Sequence, residues 1–208
     1  MTVIDRPASF YFDLSSPEAY LAAERILLLL PGPAEWQPVL ASALPGSERS
    51  GGLRGRRQEE TRRERIARRA EQLQLQPLRW PDPFPFDSTL AMRVATYAKS
   101  IGRVVPFAQA AFRQAFAGGH SLADSDHVLI AAAACEMHPA AVLRGAGLRS
   151  VERELATATA RAAGAQIIDV PAITVGERVF EGARAVEDAA AHMSDGVNTV
   201  ASSAVVRR

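Results

Sequence analysis

The chain is poor in the residues that most often announce chemistry. Its 208 residues include one cysteine, Cys135, and one lysine, Lys99. A single cysteine excludes an intramolecular disulfide, a CxxC redox pair and a cysteine-rich zinc site, and is compatible with a reducing cytoplasm. The four histidines (120, 127, 138, 192) form no cluster with acids at ligand spacing, so no metal is expected. The amino terminus, MTVIDRPAS, has no apolar signal core, and the apolar run Leu27 to Leu30 is too short to span a bilayer. A soluble, cytoplasmic protein with no membrane partner is the expectation. Net charge is +1, so the whole molecule makes no case for nucleic acid.

What is present is a large apolar fraction, 48% of the residues. A chain of this length buries roughly 70% of its unfolded surface and needs no disulfide or metal to fold. Charge is uneven: residues 49–69 hold nine arginines against three glutamates. Residues 8–14 read as a strand, 17–30 as a helix stopped by Pro31-Gly32-Pro33, and Trp36 to Leu40 as a second strand. A Gly/Ser-rich loop over 42–55 precedes a helix over 58–74, where Glu59/Arg63 and Glu64/Arg68 have i,i+4 spacing. Three prolines within 81–85 make Trp80 to Phe86 extended and irregular. Helices follow from an Asp87 or Ser88 cap to Ala98, over 106–117, from a cap among Ser121, Asp124 and Ser125 to Cys135, over 139–144 and over 150–163. Residues 166–182 switch to period-2 spacing and turn at Gly176-Glu177, a hairpin. A last helix covers 183–193, and 194–208 read as a frayed tail.

The order is β-α-β at one end, β-β-α at the other, and helices between. That is an α/β chain with a thioredoxin-like fold interrupted by a large all-helical insertion. The expected partition is 1–45 for the first thioredoxin-like part, 46–163 for the helical insertion, 164–194 for the second part and 195–208 for a flexible tail.

The stretch FYFDLSSPEAYLAAERI puts Ser16-Pro17-Glu18 at a helix start. As a cap, Ser16 accepts an early backbone N–H, Pro17 fits the first helical position and Glu18 suits the positive helix end. The same physics suits a sulfur anion arriving from outside, because free N–H groups and the helix dipole attract it. Lowering a thiol by about two pKa units requires ~2.7 kcal/mol of differential stabilisation, within reach of a hydroxyl, a dipole and partial burial together. Ser16 has no obvious base beside it in sequence and is not expected to be a nucleophile.

That opening resembles the 2-hydroxychromene-2-carboxylate isomerases and the related kappa-class glutathione transferases, of the DsbA-like branch of the thioredoxin superfamily. WPDPFPFDSTLAMRVATYA, SLADSDHVLIAAAACEMHPAAVL and AAGAQIIDVPAITVGERVFEG resemble later segments, and the likeness covers most of 9–193. Where DsbA has CxxC, this chain has Ser16-Pro17-Glu18-Ala19. The resemblance implies that Ser16 contacts the sulfur of glutathione, that Pro171 is cis, and that Val170 presents a backbone edge to the tripeptide. It implies reversible addition of a thiolate to a conjugated double bond of a small aromatic acid, nucleophilic catalysis by a borrowed cofactor. Glutathione or another low-molecular-weight thiol is therefore the expected cofactor, held by Ser16, Pro17, Val170, Pro171 and Arg184. Phe12, Trp80, Phe84 and Phe86 are candidates for the substrate pocket. Relatives are often dimers, which makes a homodimer an expectation.

The chain departs from the family pattern. The family carries Gly-Gln-Asp after its hairpin, where the acid holds the amino end of glutathione; here the residues are Gly182-Ala183-Arg184. Residues 41–79 lack the lysine and asparagine the family draws from its insertion, and position 18, commonly aromatic, is Glu18. Three functions compete: a thiol-dependent isomerase or kappa-type transferase, a thiol–disulfide oxidoreductase, and a non-catalytic binding module. The missing CxxC argues against the second. The third would dock an acidic partner or RNA through Arg62, Arg63, Arg68 and Arg69; the bland reading of that run is a solvated helix face.

Overall fold

The structure, a computed structural model, describes residues 8–47 and 56–205. Strands β1 (Ala8–Phe12), β2 (Ala34–Pro38), β3 (Ala172–Val175) and β4 (Arg178–Glu181) form one sheet in the order β2-β1-β3-β4. β1 and β2 are parallel, with Ala8 opposite Ala34 and Phe12 opposite Pro38. They are joined by helix α1 (Pro17–Leu29). β3 runs antiparallel to β1, with Tyr11 opposite Ala172, and β4 returns beside β3 through the Gly176-Glu177 turn. Gly176 takes φ of 60°, the left-handed conformation that a tight turn asks of glycine.

Between β2 and β3 lie a short 3-10 turn (Ala41–Ala43) and helices α2 (Arg56–Gln72), α3 (Thr89–Ser100), α4 (Val104–Phe116), α5 (Ser125–Ala133), α6 (Pro139–Ala146) and α7 (Arg149–Gly164). Helix α8 (Ala185–Val205) closes the chain. The expected α/β architecture with a helical insertion is therefore what forms, with most boundaries moved by a residue or two. The expected 42–55 loop lies in part, at 48–55, outside the described residues. The stretch expected as a frayed tail lies in part, at 206–208, outside the described residues. Helix α8 continues through it to Val205. Residues 194–205 contain no proline to end the backbone ladder, and Gly196 costs about 1 kcal/mol without breaking it.

Alternation along the strands sorts the core into two layers. Phe10 and Phe12 are fully buried on one face, Phe10 meeting Trp36 edge-on at 4.9 Å. They pack with α1, α3, α4 and α8 residues including Ile26, Met92, Phe112 and Val186. On the other face Tyr11, Val39, Val170 and Ala172 pack with Ala158 and Ala162 of α7. Helix α7, grouped with the insertion in the sequence partition, thus covers the second face of the sheet. The Thr159 hydroxyl accepts the Leu40 N–H at 3.0 Å and ties α7 to the end of β2. Burying a large side chain in these layers is worth about 1.5–3 kcal/mol each, and so the sheet is the rigid platform on which the α1 amino end stands.

Candidate functional site

Ser16 is a helix cap. Its backbone is extended, and its Oγ accepts the Ala19 N–H at 3.1 Å. The same hydroxyl donates toward the Val170 carbonyl oxygen at 3.5 Å, the outer limit of a hydrogen bond. Its proton is therefore weakly held and free to turn to a better acceptor. Ser16 is buried, 9% exposed, and lines a cleft of about 1520 Å³. The cleft runs from the β1–α1 turn to the corner at 169–171, bounded by α2, the start of α8 and residues 84–88. Such a volume exceeds the usual range for a small-molecule pocket.

The Val170–Pro171 bond is cis, as the resemblance implied. Hydrogen bonds fix that corner from several sides. The Glu181 Oε1 accepts the Ile168 and Asp169 N–H groups at 2.7 and 3.1 Å. The Gly46 N–H donates to the Ile168 carbonyl at 2.7 Å, and a Cβ at Gly46 would lie 2.5 Å from that oxygen, so only glycine allows this approach. The Val170 N–H is taken by the Asp169 Oδ1 at 2.8 Å. That N–H is open to another acceptor only once the Asp169 carboxylate moves aside.

Beneath the cap turn lies Asp13, 1% exposed. Its Oδ1 accepts the Ser15 N–H and the Ser15 hydroxyl, both at 2.9 Å, and its Oδ2 accepts the Ala41 N–H at 2.8 Å. The Ser88 hydroxyl also faces this carboxyl and favours its charged form. Burial pushes the Asp13 carboxyl above its ordinary pKa, and these donors offset only part of that. One carboxylate thus gathers the β1–α1 turn, the 3-10 turn and the cap of α3. Sequence reading missed it, although Asp-x-Ser is the signature of a side chain bonding the backbone two residues on.

The opposite wall is α2. Among its described side chains only Ile66 and Ala70, one turn apart, are buried. Arginines supply the remaining attachments. Arg62 forks onto Glu18 with bonds of 3.1 and 2.7 Å, so the charge at position 18 binds this wall to α1. Arg25 and Arg69 both donate to Oε1 of Glu187 on α8. Burial alone would push Glu187 up, but the Arg25 bond and the charges of Arg25 and Arg69 hold it below the ordinary carboxylate range. Arg63 lies over Trp80 at 4.7 Å and Phe84 at 5.4 Å, clamping the proline-rich strap to α2. Arg65 and Arg68 line the cleft exposed, with no ion pair among the described residues. The arginine run is therefore neither a plain solvated face nor an open basic patch: Arg62, Arg63 and Arg69 are engaged inside the fold.

Ser16, Pro171, Val170, Phe84 and Phe86 come together on the cleft. Pro17 is buried as the first residue of α1. Phe12 does not reach the cleft. Its place in the alternation points it into the core, 0% exposed, 5.9 Å from Phe112. Trp80, at the start of the strap, is half-buried against Phe84 and Phe116 and does not line the cleft. Arg184 stands outside as well, 73% exposed and 3.5 Å from Asp188. Cys135 is buried at the end of α5, away from the cleft, and burial pushes its thiol up. Sequence reading also missed Ser15 and Asp169, which bond Asp13 and Val170 within their own turns, and Glu187, whose partners lie on α1 and α2. Among the described residues no group of three metal-binding side chains occurs, and no helix is long and apolar enough to cross a membrane.

A four-stranded mixed sheet, a capped helix aimed at a proline corner and a helical insertion define a thioredoxin-type protein. The chain belongs to the DSBA-like thioredoxin domain family, whose pattern matches residues 8–194. Its fold is similar to that of a 2-hydroxychromene-2-carboxylate isomerase, with a TM-score of 0.83 and 15% identity over 94% of this chain and 98% of the other. It is also similar to a probable DsbA oxidoreductase of Streptomyces coelicolor, with a TM-score of 0.77 and 16% identity over 92% and 90% of the two chains. A third likeness is to the cytosolic disulfide reductase DsbM of Pseudomonas aeruginosa, solved with GSH, with a TM-score of 0.66 and 14% identity over 92% and 99%. Comparison with curated protein sequences finds no match.

Proposed function

We propose that this protein is a thiol-dependent isomerase acting on a small conjugated or aromatic acid, with glutathione or another low-molecular-weight thiol bound in the cleft. The observation that carries this reading is the weakly committed Ser16 hydroxyl, buried at the amino end of α1 and opening on a cleft shared with Pro171. When bound, the thiol supplies a nucleophilic sulfur able to add reversibly to a conjugated double bond. The chain's own residues do the rest. Ser16 turns its proton to the sulfur, and the N–H groups at the start of α1 add their field. Phe84, Phe86 and Leu21 give the cleft an apolar side for a flat substrate, and Arg65 and Arg68 offer cations to its carboxylate. A kappa-type transferase would use the same sulfur site. An oxidoreductase would need a second cysteine, and the one present is buried outside the cleft.

The fit is partial at the peptide end, where Asp169 occupies the Val170 N–H and Arg184 faces solvent. The test is a thermal shift with a panel of glutathione, cysteine and coenzyme A. At least one should raise the melting temperature, and Ser16→Ala should reduce that rise. A panel without effect overturns the reading.

A further inference from the structure

A thiol that arrives protonated needs an acceptor for its proton before it can react as a thiolate, and Ser16, whose hydroxyl donates to the sulfur, is not that acceptor. Its oxygen already accepts the Ala19 N–H. No histidine lines the cleft. Glu18 is paired with Arg62, Glu59 with Arg62 and Arg63, and Glu187 with Arg25 and Arg69. Asp87 is held below its ordinary range by two bonds from Thr89, and the Asp169 Oδ1 is taken up by the Val170 N–H. Asp13 differs from these. The groups that meet it are neutral: the Ser15 N–H and hydroxyl from its own turn, the Ala41 N–H from the 3-10 turn and the Ser88 hydroxyl ahead of α3. The charged residues adjoining those elements, Glu18 and Asp87, are engaged elsewhere.

The Ser15 side chain is half-buried on the cleft lining, one residue before the cap, and its proton points 2.9 Å inward to the Asp13 carboxylate. Its oxygen lone pairs remain for the cleft side. That is the geometry of a hydroxyl standing between a buried base and a ligand.

We infer that Ser15 and Asp13 form a proton relay that accepts the proton of a thiol whose sulfur is held at Ser16. This rests on the thiol reading of the cleft. The Ser15 oxygen takes the proton from sulfur, and the proton it carried passes along the existing hydrogen bond to Asp13 Oδ1. The S–H and Ser15 O–H bonds break. A new Ser15 O–H bond and an Asp13 O–H bond form. Sulfur keeps its electron pair, and nothing is oxidised or reduced. Release of the thiol runs the transfer backward. Burial suits Asp13 to the role, since it favours the protonated carboxyl that the transfer produces.

Difference infrared spectroscopy on the full chain tests this beside calorimetric binding, with the panel thiol that binds best and its S-methylated counterpart. Thiol binding at neutral pH should raise a protonated-carboxyl band, and the S-methyl compound, with no proton to give, should not. Asp13→Asn should abolish the band. Ser15→Ala should bind the thiol within a few-fold of the parent yet lose the band, and Ser15→Thr, which keeps the hydroxyl, should restore it. Thiol binding without a carboxyl band overturns the relay and leaves the cleft reading standing. So does a band that survives in Asp13→Asn, or one that Ser15→Ala leaves unchanged. Absence of binding by every thiol of the panel overturns both.

Discussion

The two sides of the cleft are built by different physics. The corner that joins Ser16 to Pro171 is held by backbone hydrogen bonds, a cap and one buried carboxylate met by neutral donors. The α2 wall is held by guanidinium groups: Arg62 on Glu18, Arg69 on Glu187, and Arg63 on Trp80 and Phe84. The first side is set by strand order and a helix start, which the fold itself guarantees. The second depends on particular side chains meeting across elements, and it is where this chain departs from the family pattern.

Several substitutions would sharpen or break that contrast. The largest effect belongs to the corner: Ser16→Ala should weaken thiol binding by tenfold or more, a loss of about 1.4 kcal/mol or more, measured by calorimetry. It should also cost ~1 kcal/mol of stability through the lost cap. On the wall, Glu187→Gln leaves Arg25 and Arg69 without their shared acceptor. Because the Glu187 side chain is 24% exposed, the cost should be about 1–2 kcal/mol, below that of a fully buried pair, read by urea denaturation. Asp169→Ala frees the Val170 N–H and should tighten glutathione binding a few-fold. Arg63→Ala should be the mildest in stability, about 0.5–1 kcal/mol, but should loosen the strap, seen as faster hydrogen exchange over 80–86.

Acid separates the two sides by sign. Glu187 is held below its ordinary value, so its contribution is present above the usual carboxylate range and is lost as pH falls through its folded-state pKa. Asp13 is raised, so its contribution is present at low pH and is lost as pH rises through its raised folded-state pKa. Denaturation curves against pH should therefore show Glu187→Gln removing an acid-side loss. Asp13→Asn should remove a loss on the other flank of the carboxylate range.

Legibility in the sequence followed the same division. Ser16-Pro17-Glu18 announced a cap because the interactions are local, and the Gly176-Glu177 hairpin was readable from period-2 spacing. The cis state of Pro171 came only from the resemblance. The cis bonds at Asp82-Pro83 and Phe84-Pro85 had no such guide. Phe12 was misplaced because a strand aromatic beside a cap can face either side, and its alternation with Tyr11 sends it inward. Trp80 and Phe84 share the strap, but Arg63 packs against both and only Phe84 lines the cleft. The partners of Arg62 and Arg69 are 44 and 118 residues away, beyond any local pattern. Asp13, Ser15 and Asp169 were missed although their bonds are local.

The central claim is that a hydroxyl at the amino end of α1 holds a sulfur. Calorimetry of the parent and Ser16→Ala with glutathione and S-methylglutathione tests it most directly. The account predicts that the parent prefers the free thiol and that Ser16→Ala erases the preference. A preference that survives the substitution, or a parent that binds both compounds equally, would contradict it.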